Sequence, residues 1–153
     1  MEFPIRTSER VSHNTSSAIN EKIEQKTQAS IRAAQLGGPA AIERRLAELD
    51  REWDIERCLE TGASSLSVIG LILGKKVNPK WYLLPAGIAG FLLQHALQGW
   101  CPPLPVFRRL GIRTSDEINR ERFALKALRG DFVGLEDKDR EDAVVESFNA
   151  TRH

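Results

Sequence analysis

The chain has 153 residues, of which 41% are hydrophobic and 7% aromatic, enough for a domain with a real core. Its 22 basic and 21 acidic side chains leave a net charge of +1, which excludes a global nucleic-acid footprint, so no nucleic-acid partner is expected. Cys58 and Cys101 form no CxxC pair and match no zinc framework, so neither a metal nor another cofactor is expected.

Residues 1–17, MEFPIRTSERVSHNTSS, show no apolar periodicity and no apolar core of the signal-peptide kind. They are expected to form a disordered, uncleaved tail. Residues 18–57 predict amphipathic helices. Ile19, Ile23 and Ile31 recur at helical spacing up to Gly37-Gly38, and Pro39 is placed to open the next helix. Ile42, Leu46, Leu49 and Trp53 then form a narrow seam in a helix expected to run through AAIERRLAELDREWDIERCLE. The seam suits packing within the chain or pairing between chains.

From Thr61 to Phe107 the only charges are Lys75, Lys76 and Lys80; every acidic group lies outside this stretch. Two apolar runs separated by KKVNPK predict an antiparallel helical hairpin over 58–107. Trp81 to Trp100 gives twenty uncharged positions with aromatic ends, matching the roughly 20 residues that a bilayer crossing needs. Thr61 to Gly74 gives only fourteen and spans only if Lys75 and Lys76 snorkel outward. Arg45, Arg51 and Arg57 before the hairpin, and Arg108, Arg109 and Arg113 after it, outweigh the three lysines of the turn and place both termini in the cytoplasm. Gly70 with Gly74, Ala63 with Ser67, and Ala86 with Gly90 supply small-residue steps for close helix contact.

After Trp100, the prolines of CPPLPVFRRLG stop regular helix. Thr114 and Ser115 cap a C-terminal amphipathic helix within 108–130, in which Ile118, Leu125 and Leu128 alternate with Arg120, Arg122, Lys126 and Arg129. Such a helix suits either an anionic membrane surface or packing on a neighbouring helix. Residues 131–153 read as a loosely ordered acidic tail.

Counting outward from Asn78 puts Gln94 and His95 level with Thr61 to Ser64, and Gln98 and Cys101 level with Arg57 and Cys58. The polar groups could form a relay or an anion pocket in which His95 titrates. The preferred expectation is hydrogen bonding between helices, with the glutamines and His95 satisfying serine and threonine. Cys58 and Cys101 could pair, share a metal or carry sulfur, provided a neighbour such as Arg57 or Arg108 lowers a thiol pKa. Unreactive thiols are the preferred expectation.

The sequence ERCLETGASS, a short apolar run, a basic turn, W-x-L-L-P, and a second run ending GWCPPLPVFRRLGIRT resembles the bacterial YgaP-like two-helix membrane domains over about residues 53–115. The positions that carry the resemblance are Glu56, Arg57, Gly99, Cys101, Pro102, Leu110, Gly111 and Thr114. The resemblance implies paired hairpins in the bacterial inner membrane. One branch of that family is fused to a rhodanese domain, for which this chain has no room, so no sulfurtransferase activity carries over.

The resulting expectation is an all-α, non-enzymatic protein: a transmembrane helical hairpin with amphipathic cytoplasmic helices on both sides. It would contact membrane lipids, self-associate as an anchoring or interaction module, and offer its flanking helices to a further protein. Gly70 and Gly74 would make helix contact, Arg57 would mark the interface, and Cys101-Pro102 would form the exit. A small transport or relay element using His95, Gln98 and Cys101, a sulfur-handling protein using Cys58 and Cys101, and a soluble helical dimer are the alternatives.

Overall fold

The structure, a computed structural model, describes residues 9–133 and 140–152. Residues 1–8 of the expected N-terminal tail, and 134–139 and His153 of the expected acidic tail, lie outside them. Among the described residues every regular element is helical: α1 (Arg10–His13), α2 (Ser17–Leu36), α3 (Pro39–Leu49), α4 (Ile55–Lys76), a 3-10 turn (Pro79–Tyr82), α5 (Leu83–Gln98), α6 (Leu104–Arg109), α7 (Ser115–Arg129) and α8 (Arg140–Arg152). The all-α class is thus established. The described residues divide into two compact units, one of residues 9–23 and 53–116, the other of 24–52, 117–133 and 140–152.

In the first unit, α4 and α5 form an antiparallel hairpin. Gly70 and Gly74 are buried in α4 where the two helices meet. A Cβ added at Gly70 would lie 2.8 Å from Pro85 Cδ, and one at Gly74 would lie 2.7 Å from the Tyr82 ring, so only glycine allows this approach. A Cβ at Gly90 would meet nothing within 4 Å, so the Ala86–Gly90 step makes no such contact. At the turn, Asn78 Oδ1 accepts from the Lys80 amide at 2.9 Å and Pro79 opens the 3-10 turn.

The expected membrane-spanning hairpin is not found: no helix among the described residues is long and apolar enough to cross a membrane. α5 has 16 residues, a length of about 24 Å against a hydrocarbon core of about 30 Å. The expected second span is shortened at both ends. Trp81 and Tyr82 enter the 3-10 turn, and Gly99, left-handed at φ 72°, ends α5 ahead of Trp100. α4 reaches 22 residues only by including Glu56, Arg57, Glu60, Lys75 and Lys76. The expected integral inner-membrane hairpin with cytoplasmic termini is therefore overturned.

Residues 9–17, expected as part of a disordered tail, are packed. Helix α5 ends with carbonyls that have no partner inside the helix. The Arg10 guanidinium donates to Ala96 O at 2.7 Å and Leu97 O at 3.2 Å, and the Asn14 amide donates to Gln98 O at 3.0 Å. A cation at a helix C-terminus is also favoured by the helix dipole. Gly99 makes room for this cap, since a Cβ there would sit 2.5 Å from Arg10 Cβ. Val11 joins the core of Ile55, Leu59, Cys101 and Leu104, against which Trp100, Phe107 and Ile112 pack.

The helix expected to run from Ala40 through Glu60 is broken between Leu49 and Ile55. Asp54 is the cause: it adopts extended backbone, accepts from the Arg57 amide at 2.8 Å, and so N-caps α4. Its other carboxylate oxygen accepts from the Ser115 hydroxyl, and the Ile55 amide donates to Arg113 O at 2.9 Å. Trp53, placed by periodicity in the seam, is instead 46% exposed.

In the second unit Ile42, Leu46 and Leu49 of α3 pack with Ala34 of α2 and Ile118 and Leu125 of α7. Gly38, at φ 74°, precedes Pro39 at the start of α3. The segment Arg140–Arg152, within the stretch read as a loose acidic tail, is helix α8.

Candidate functional site

Of the expected site residues, Cys58, Cys101 and Pro102 line an apolar cleft of about 480 Å3 in the first unit, whereas Arg57, Gly70, Gly74, His95 and Gln98 do not. Cys58, Leu59 and Leu66 of α4 face Ile88, Phe91 and Leu92 of α5 across it. Cys101, Pro102, Pro103 and Phe107 close one end. Counting from the turn placed Cys58 and Cys101 at similar depth, and both line this cleft as free thiols.

The cleft does not activate either thiol. Burial pushes the Cys101 thiol above its ordinary pKa, and the Leu104 backbone hydrogen bond offsets this only in part. Burial also raises Cys58, with Asp54 adding to the shift and Arg57 opposing it. Nucleophilic chemistry needs the opposite direction. Arg57 is exposed and stacks its guanidinium over the Trp53 ring, 4.4 Å from the centroid. No group of three His, Cys, Asp or Glu side chains among the described residues could hold a metal ion.

His95 is half-buried, and its Nδ1 has no hydrogen-bond partner among the described residues. Glu56 Oε2 is in the same condition. The expected hydrogen bond to a serine or threonine of α4 is therefore not formed at Nδ1; the charges that act on His95 are Glu56 and Arg10. Gln98 is exposed, and it is its backbone carbonyl that is engaged, by Asn14.

Burial lowers the His95 pKa, Glu56 opposes this, and Arg10 reinforces it. The unfolded imidazole, near pKa 6.5, then binds protons more readily than the folded one. Stability from this group is complete above about pH 6.5 and is lost as the pH falls through the lowered folded value. His95→Leu is expected to reduce the loss of stability between about pH 7 and pH 5 relative to the parent chain, read from urea midpoints followed by tryptophan fluorescence. Equal losses in the two chains would show that His95 titrates alike folded and unfolded.

The most strongly held polar groups are ones that sequence patterning missed. Arg108, counted among the basic residues that follow the hairpin, is 1% exposed. It donates to Thr15 Oγ1 at 3.2 Å, Asn20 Oδ1 at 2.9 Å and Ile112 O at 3.2 Å. In the second unit Glu121 is fully buried and accepts from Ser30 Oγ at 2.6 Å and from Arg45 Nε and Nη2 at 2.8 and 3.1 Å. The Glu121 hydrogen bond is the leading reason that the Arg45 pKa is raised.

Three of the four cations of α7 read as a possible membrane-facing stripe, Arg122, Lys126 and Arg129, are engaged within the same unit. Arg122 pairs with Asp50 at 3.0 Å and Arg129 with Glu43 at 2.6 Å. Lys126, with no exposed surface, donates to Ala150 O of α8 at 2.9 Å. Burial lowers the Lys126 pKa. A helix whose basic groups are committed in this way has few left for anionic lipid.

Comparison with known proteins gives no match to a family model, a curated protein or a solved structure.

Proposed function

We propose that the protein is a self-associating helical interaction module whose α4–α5 hairpin docks on a second copy. The observation that carries this reading is the state of α5: sixteen almost wholly apolar residues, none of them buried. A helix that is hydrophobic all round belongs in a protein interior unless another surface covers it. Leu83, Leu93 and Leu97 are 74%, 62% and 68% exposed, and in α4 Val68, Leu71 and Ile72 are about half exposed. A contiguous apolar surface of this kind marks an interaction site.

A second copy is a suitable occupant because the net charge of +1 gives little repulsion between chains and identical surfaces can meet across a two-fold axis. The YgaP-like resemblance, which implies paired hairpins, points the same way. No reaction is assigned: the thiols are shifted away from reactivity and His95 Nδ1 has no hydrogen-bond partner among the described residues.

Sedimentation equilibrium tests the reading. The parent chain is expected to be dimeric at micromolar concentration, and the double variant Leu71→Asp/Leu93→Asp monomeric with unchanged helical content. A parent chain that sediments as a monomer throughout would overturn it.

A further inference from the structure

The outer surface of α4 carries a charge pattern that selects one arrangement of the two copies. Glu60, Ser64, Val68, Leu71 and Lys75 follow one another at steps of four, four, three and four, so they share one face of the helix. All five are exposed, whereas Gly70 and Gly74 face α5. The face has an acid at one end, a base at the other, and no charge between them. The charges are fifteen positions apart, about 22 Å along the axis.

We infer that two copies pack antiparallel along this face, with the two-fold axis beside Val68, so that Glu60 of each copy meets Lys75 of the other. This rests on the self-association proposed above and adds its orientation. An antiparallel pairing centred there places every position opposite one that makes the same sum: Glu60 opposite Lys75, and Ser64 opposite Leu71. Val68, 55% exposed, then meets its own copy beside the axis, and Leu71, 50% exposed, is covered by the small Ser64 of the other copy, which lets the helices approach. A parallel pairing would set Glu60 against Glu60 and Lys75 against Lys75, like charges that disfavour it. Arg57, one turn before Glu60, is drawn back over the Trp53 ring. The ion pairs lie at the rim, where they fix direction more than strength.

Charge reversal combined with cross-linking tests this. Glu60→Lys and Lys75→Glu are each expected to raise the dissociation constant about tenfold, since each disturbs two symmetry-related pairs. Glu60→Lys/Lys75→Glu together should restore the parent value. In a Cys58→Ser background, mixed Ser64→Cys and Leu71→Cys chains should cross-link to each other in preference to themselves. A dimer whose dissociation constant ignores the reversals, or whose cysteines link only like to like, overturns the antiparallel arrangement while leaving self-association intact. A chain that stays monomeric overturns both.

Discussion

Glu121→Ala is expected to destabilise the second unit by about 3–5 kcal/mol, the loss typical of removing one partner from a buried ion pair. Glu121 is completely buried, and its carboxylate oxygens accept hydrogen bonds from Arg45 Nε and Nη2 and from the Ser30 hydroxyl. Removal leaves a guanidinium facing a low-dielectric interior and a hydroxyl without its acceptor. Arg45 retains Glu48 at 3.0 Å and Glu52 at 3.7 Å, but the Glu48 side chain is more than half exposed and its pair is correspondingly weak. Glu121→Gln keeps the shape and one acceptor oxygen, so a smaller loss of about 1–3 kcal/mol is expected. Hydrogen exchange of the α3 and α7 amides is the direct measurement, because these helices supply the core residues Ile42, Leu46, Leu49, Ile118 and Leu125. Unchanged protection in the alanine variant would mean that Arg45 finds water or another carboxylate at no cost.

The same residue shows what the sequence could and could not reveal. The period of α7 is plain from Ile118 and Leu125, and the seam of α3 from Ile42, Leu46 and Leu49; both reach the core. Glu121 sits between Ile118 and Leu125 on that inward face, so its burial was accessible to a helical wheel. The pairing with Arg45, 76 positions away, was not. Local pattern states which face is inward and says nothing about which distant charge lies opposite.

The membrane reading failed for a different reason. Counting uncharged residues gave twenty for Trp81 to Trp100, but helix length is set by where the backbone can remain helical. Pro79 with Asn78 imposes a 3-10 turn at one end and Gly99 a left-handed residue at the other, leaving sixteen residues in α5. The hairpin itself was legible because the turn signal and the two apolar runs are local features. Gly70 and Gly74 were visible as a spacing, yet their meaning depends on Pro85 and Tyr82 standing opposite them. The tail reading overlooked Arg10 and Asn14, whose roles come from the end of α5 more than eighty positions later, and Val11, which joins the core of Ile55, Leu59, Cys101 and Leu104.

Arg108→Ala is expected to be comparably damaging in the first unit, at about 3–5 kcal/mol. The guanidinium lies at 1% exposure and holds three acceptors from separate parts of the chain: the Thr15 hydroxyl, the Asn20 side-chain carbonyl and the Ile112 backbone carbonyl. Thr15 and Asn20 are fixed by further bonds to Val11 O and Ser12 O, each 2.8 Å, so they cannot readily turn to other partners. Replacement by Met tests packing against polarity. If Arg108 served mainly to fill volume, Arg108→Met would restore most of the stability, as apolar replacement of buried ions can do. Because Met leaves the acceptors unpaired, a loss of at least about 2 kcal/mol is expected to remain. Lys keeps the charge but not the planar fork, so Arg108→Lys should fall between Met and the parent chain. A double-mutant cycle with Asn20→Ala isolates the 2.9 Å bond to Asn20 and is expected to give a coupling of about 1–3 kcal/mol. Trp53, Trp81 and Trp100 all belong to the first unit, so tryptophan fluorescence in urea follows this unfolding directly. A coupling of zero would show that Asn20 is held by its bonds to the α1 segment alone, and that Arg108 acts through its other contacts.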